Sequence, residues 1–148
     1  MGLVSAGNAS QISDGASAVL LASEDACRRF GLRKRARVVA TAEVGSDPIL
    51  MLDGPIPATR KALQRAGLSD DQIDLFEINE AFATVMAAWM KTLNVPLDKV
   101  NVNGGAIAHG HPLGATGCIL MAKLVNELER RNARYGLQVM CIGHGQAT

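Results

Sequence analysis

Aromatic residues and cysteine are scarce and neither sign of charge prevails, and each shortage closes off a class of protein. Phe, Tyr and Trp make up 3% of the 148 residues, so the interior has to pack through Ala, Gly and Ser rather than around large rings. Fifteen Lys and Arg face 14 Asp and Glu, for a net charge of +1. That balance leaves no electrostatic footprint for nucleic acid or for an anionic membrane surface. No apolar run approaches the roughly 20 residues of a membrane helix, and residues 1–11 lack the basic and apolar regions of an export signal. Cys27, Cys118 and Cys141 are odd in number and irregularly spaced, which argues against a disulfide framework and for a reducing, cytoplasmic setting. Neither Gly-x-x-x-x-Gly-Lys-Ser/Thr nor Gly-x-Gly-x-x-Gly occurs, so phosphate-loop and dinucleotide readings fall away.

What is present suits a globule. A chain of 148 residues is one domain on the usual prior and buries roughly 68–70% of its unfolded surface. Ser13 and Asp14 are placed to cap a helix whose apolar face is Ala16, Val19, Leu20, Cys27 and Phe30, stopped by Gly31. The basic stretch over 31–37 is a candidate linker, and residues 37–44, rich in Val and Ala, read as a buried strand. A helix with Pro57 near its start and Gly67 at its end follows, then a capping-box spacing at Ser69 and Gln72 and a short strand over 73–78. Helical periodicity marks residues 80–93 and 113–130, and 137–142 reads as a last strand. Strands alternating with helices imply an α/β fold with helices on both faces of the sheet.

Three segments carry more chemistry than connectors need. Asn79-Glu-Ala-Phe82 lies at a strand-to-helix junction, where an N-cap role would also account for Asn79. Residues 101–117 hold Gly104, Gly105, Gly110, Gly114 and Gly117 with His109 and His111 ahead of a helix. There the helix dipole disfavours imidazolium and leaves a neutral ring able to act as base or donor. Met140-Cys-Ile-Gly-His-Gly145 runs a strand into a glycine turn. Backbone N–H groups there would lower the pKa of Cys141, while a core role is the alternative. His109, His111, Cys141 and His144 are all zinc-competent, but their spacing matches no finger or ribbon, and no metal is expected.

These segments together resemble the C-terminal part of a thiolase, the acyl-CoA acyltransferases that make or cleave 3-ketoacyl-CoA. The likeness runs along essentially the whole chain: residues 6–15 (AGNASQISDG), 54–61 (GPIPATRK), Asn79-Glu-Ala-Phe82, Asn103-Gly-Gly105, Gly110-His-Pro112 and Cys141-Ile-Gly143. It implies a thiolase-like half-fold with a mixed five-stranded sheet between helical layers. It also implies that residues 1–33 form a strip completing the family's N-terminal half and that 34–148 form the C-terminal domain, its final strand cut short. His111 is implied to activate a nucleophilic cysteine and to help form an oxyanion hole, and Asn79 to hold a water that completes it. Cys141 is implied to move the proton at the acetyl α-carbon, and the N–H of Gly143 to serve a second hole. Ser10, Met51, Ala81 and Phe82 match positions lining the pantetheine tunnel. Coenzyme A and acyl-CoA enter as substrates, with no permanently bound cofactor, in fatty-acid metabolism such as β-oxidation. None of the three cysteines stands in the Cys-x-Ser-Gly context of the family's nucleophile. The implied partners are therefore the N-terminal half that carries it and, in the full-length enzyme, further copies in a dimer or tetramer. His144 follows Gly143 where the family pattern is glycine-rich, and His109, where an aliphatic residue is common, is expected to be a satisfied, partly buried histidine. A non-catalytic thiolase-like association module is the alternative, and the related ketoacyl synthases are disfavoured by Cys141-Ile-Gly143.

Overall fold

The centre of the fold is a pair of parallel strands with helices on both sides. The structure, a computed structural model, describes residues 2–148. Its helices are α1 (Glu24–Phe30), α2 (Pro55–Ala66), α3 (Ala83–Leu93), α4 (Ala106–His109) and α5 (Leu113–Arg131). Its strands are β1 (Val44–Gly45), β2 (Leu75–Ile78), β3 (Gly136–Val139), β4 (Cys141–Ile142) and β5 (Gln146–Ala147). β2 and β3 run parallel, with Leu75 opposite Gly136 and Ile78 opposite Val139. β1, β5 and β4 form an antiparallel triple in that order. The five strands are thus mixed, divided between a parallel pair and an antiparallel triple that meet at Met140, whose N–H and carbonyl pair with Thr148.

Strand residues alternate between faces, and the sequence of β2 uses both. Phe76 and Ile78, with Leu137 and Val139 of β3, face Ala58 of α2 and Trp89 of α3 in the main core. The Trp89 indole packs edge-on against Phe76 at 5.4 Å, and its Nε1 donates to Thr59 Oγ1 at 2.9 Å, so its one polar atom is satisfied. Glu77, on the opposite face, accepts from Lys123 of α5 at 3.1 Å, while Gly136 leaves room for Leu124. α5 runs antiparallel to β3, because Gln138, further along the strand, donates to Gly117 O, nearer the helix start, at 3.1 Å. The first turn of α5 therefore lies at the carboxyl ends of β2 and β3.

Local signals set most boundaries. Gly67 at φ 65° closes α2, and Asn94 and Asn132, also left-handed, close α3 and α5. The Ser69–Gln72 capping box forms, with Ser69 N donating to Gln72 Oε1 at 2.9 Å. Arg130, Asn103 and Arg131 clasp the buried Glu127 and hold its carboxyl well below the usual carboxylate range.

Two expected elements are corrected. The helix expected from Ser13 to Gly31 is only α1, seven residues capped by Ser23; residues 9–23 follow no regular helix, and Ile12, Leu20 and Leu21 are exposed. The strand expected over 37–44 is confined to Val44–Gly45, with Val38 and Val39 exposed. In both places the apolar pattern is present but no partner surface in this chain covers it. The remaining shifts are small: α2 begins at Pro55, α3 at Ala83, and the last strand breaks at Met140.

Candidate functional site

Where β2 ends, Asn79 extends its ladder by one bond, its N–H donating to Val139 O at 3.0 Å. Its side chain is 1% exposed and its Oδ1 has no hydrogen-bond partner among the described residues. The N-cap reading fails, since α3 starts four residues on and Phe82 holds the cap position. A buried carbonyl oxygen without a donor calls for one, and a bridging water is the ordinary supplier. The next residue, Glu80, is buried and fastens the glycine loop: Oε1 accepts from Asn101 Nδ2 at 2.7 Å and Oε2 from Ile107 N at 3.1 Å. Gly105 packs against that carboxylate so closely that a Cβ would collide with it.

The amino-terminal strip ties two of the singled-out segments together. Ala83 N donates to Asn8 O at 2.9 Å, Ser10 N to Ala81 O at 3.1 Å, and His111 N to Gln11 O at 2.8 Å. Ser10, Ala81 and Phe82 are thereby adjacent, and the same strand of backbone leads to His111. Gly110, at φ 87°, presses on Ser13, where a side chain would collide. The His111 ring meets Thr116 Oγ1 through Nδ1 at 2.7 Å. Burial pulls its pKa below the ordinary histidine value, the direction the sequence suggests.

Cys141 opens a hairpin, paired with Ala147 while Ile142 faces Gln146, and Gly143–Gly145 form the turn with His144 at φ 64°. The thiol is buried, and burial pushes its pKa up, so the lowered value expected from the sequence is corrected: Cys141 is a neutral thiol at neutral pH. Gly143 is exposed and its N–H makes no hydrogen bond among the described residues. Met51 lies here, its Sδ accepting from His144 N at 3.4 Å, and so stands with the Cys141 hairpin. His109 is exposed rather than partly buried; its ring contacts Gly110 O at 3.0 Å and Lys123 Nζ at 3.4 Å. No group of three or more His, Cys, Asp or Glu among the described residues is placed to hold a metal ion.

Asn79 and Cys141 leave the carboxyl ends of adjacent parallel strands, and His111 precedes the helix that starts beside them, which is where open α/β sheets bind ligands. The arrangement offers an imidazole, a protonated thiol, a free backbone donor and a buried amide oxygen with no partner among the described residues. Thr116 and Glu80 went unnoticed in the sequence. Glu80 stands inside a singled-out motif, and Thr116 lies five residues after His111, one helical turn into α5.

The family "Thiolase, C-terminal domain" matches residues 32–148. The chain is 59% identical to the steroid 3-ketoacyl-CoA thiolase FadA6 of Mycobacterium tuberculosis, covering 99% of this chain and 36% of that protein. It is 51% identical to a 3-ketoacyl-CoA thiolase of Klebsiella pneumoniae, covering 98% and 38%. Among solved structures, acetyl-CoA acetyltransferase of Bacillus anthracis superposes with a TM-score of 0.94 at 42% identity, over 97% of this chain and 36% of that one. Human mitochondrial 3-ketoacyl-CoA thiolase in complex with CoA gives 0.90 at 44% identity, over 97% and 36%. The chain therefore spans little more than a third of the length of these relatives.

Proposed function

Because the chain belongs to the thiolase family, as its C-terminal domain, we propose that it supplies the C-terminal catalytic portion of an acyltransferase acting on 3-ketoacyl-CoA by Claisen and retro-Claisen chemistry. The observation that carries this reading is the strip over 8–13, hydrogen-bonded at once to Ala81 and to His111, which supports taking the Asn79 and His111 segments as parts of one site. In the cleavage direction a cysteine thiolate attacks the 3-keto carbon, the C2–C3 bond breaks and the departing α-carbon takes up a proton. His111 takes the nucleophile's proton. The unpaired Asn79 Oδ1 accepts one hydrogen of a water, leaving the other for the oxyanion. Cys141, kept protonated by burial, has the proton the α-carbon needs and recovers it in the condensation direction. The free N–H of Gly143 serves the carbonyl of the acyl-enzyme when the CoA thiol attacks. Ser10, Ala81 and Phe82, with Met51 beside the hairpin, offer a mixed apolar and hydroxyl wall for pantetheine. The nucleophile comes from an N-terminal half, in the cytoplasm, within a dimer or tetramer; alone, the chain is inactive.

The test is to combine the purified chain with a thiolase N-terminal half and follow CoA-dependent cleavage of acetoacetyl-CoA. Activity is expected from the pair and from neither part, with His111→Ala and Cys141→Ala each lowering kcat by about 10²–10⁴-fold. A folded, associated pair without activity overturns the reading. It would favour instead a non-catalytic association module, to which the exposed Ile12, Leu20, Leu21 and Phe30 point.

A further inference from the structure

Beside His111, an inward-facing hydroxyl has no place in the roles set out above. Thr116 is fully buried in the first turn of α5. Its Oγ1 donates to Pro112 O at 2.9 Å, four residues back, and lies 2.7 Å from His111 Nδ1. A hydroxyl has one proton and two lone pairs. With its proton on Pro112 O, which also takes the backbone N–H groups of Ala115 and Thr116, Oγ1 is left to accept from the ring. Nδ1 must then carry hydrogen, and Nε2, which has no hydrogen-bond partner among the described residues, keeps its lone pair. The backbone beneath the ring is also pinned, since His111 N donates to Gln11 O at 2.8 Å.

We propose that Thr116 is a positioning residue that holds the proton of His111 on Nδ1 and presents Nε2 as the basic nitrogen; this deepens the acyltransferase reading and rests on it for its catalytic meaning. Histidine left to itself prefers the proton on Nε2, the wrong place for a ring that has to take one there. When the nucleophile's S–H bond breaks and an Nε2–H bond forms, the ring becomes cationic while Nδ1–H stays on Oγ1 and the Thr116 proton stays on Pro112 O. One hydroxyl orientation therefore supports the base before transfer and the acid after it. A carboxylate in the same place would hold the tautomer equally well but would raise the basicity of the ring; a neutral hydroxyl does not. The rival orientation, with the hydroxyl turned onto Nδ1, would put the proton on Nε2.

The tautomer is read directly from the imidazole ¹⁵N shifts of the labelled 148-residue chain near pH 8, the His111 signals being those missing in His111→Gln. Protonated Nδ1 with unprotonated Nε2 is expected in the wild type; the reverse overturns the proposal without recourse to any variant at Thr116. Thr116→Val keeps the shape and removes the acceptor, so the ring should move toward Nε2–H, and Thr116→Ser should restore the wild-type pattern. A folded Thr116→Val with an unchanged tautomer refutes the role. In the assembled enzyme, Thr116→Val should lower kcat/KM about tenfold, the worth of one such hydrogen bond, and Thr116→Ser should recover most of it. The ring shifts do not depend on activity. An inactive pair with Nδ1–H intact would therefore sink the acyltransferase reading and leave the tautomer assignment standing.

Discussion

Cys141 sits at the scale of single atoms, where a thiol taken out of water resists ionising. Its folded pKa lies above its unfolded value, so the protonated form belongs to the native state. The resulting contribution to stability is complete below the unfolded thiol value of about 8.5 and is lost as the pH rises through the folded one. Iodoacetamide labelling mapped by mass spectrometry should find Cys141 slower in the folded chain than in urea at pH 8, with its rate still climbing above pH 9. Labelling as fast as in urea would contradict the burial. Glu77 obeys the same desolvation rule with a partner: burial pushes its carboxyl up, Lys123 opposes that, and the two meet at 3.1 Å. Lys123→Met should leave Glu77 buried without a counter-charge and cost about 3–5 kcal/mol at pH 7.5. The loss should be smaller at pH 5, where the variant's Glu77, its pKa raised further, takes a proton; urea unfolding at the two pH values checks the sign. Asn79, His111 and Cys141 stood out in the sequence because an Asn, a His or a Cys set among glycines or at a strand end is an uncommon combination, and the structure places them at the end of β2, ahead of α5 and at the start of β4. Thr116, Glu80 and Lys123 did not stand out, because a Thr, a Glu or a Lys in a helical or strand-end pattern has many bland uses and only the fold shows which atom each one meets.

Elements were legible where a local stop signal and a tertiary partner agreed. Gly31 and Gly67 end helices at left-handed φ, and the Ser69–Gln72 box forms, because those effects are settled within a few residues. The apolar periodicity of 13–31 and the valines of 37–44 lack the second condition, so only α1 and two strand residues remain of them. Most helical stability comes from packing an amphipathic face, not from propensity. The loop over 101–105 shows the converse, an irregular segment held by specific bonds. Asn101 exchanges hydrogen bonds with both the N–H and the carbonyl of Ile78, at 2.9 Å each, and Glu80 takes the N–H of Ile107. Gly105→Ala would drive a methyl group into the Glu80 carboxylate. It should cost about 2 kcal/mol as an overpacking strain and open the Ile107 amide to hydrogen exchange. A variant with wild-type stability and an Ile107 amide still protected would show that the loop can yield without releasing Glu80.

Across the whole molecule, the buried and the exposed apolar residues fall in different parts of the chain. The core draws on residues from 44 to 147, centred on Phe76, Ile78, Trp89 and Val139, whereas Ile12, Leu20 and Phe30 are 93%, 79% and 66% exposed. The strip is nevertheless joined to the rest over residues 8–11, through the backbone bonds of Asn8, Ser10 and Gln11. An apolar surface of this kind attracts a covering partner. It does not contribute to the core, which makes the two roles separable by mutation. Replacing Ile12, Leu20, Leu21 and Phe30 together by Ser should leave the thermal midpoint within a few degrees of wild type, because exposed side chains away from buried features change stability by only about 0.5 kcal/mol each. The same change should abolish binding to a thiolase N-terminal half in analytical ultracentrifugation. If the substituted chain unfolds, the strip is part of the core after all; if it still binds the partner with undiminished affinity, the covering surface lies elsewhere.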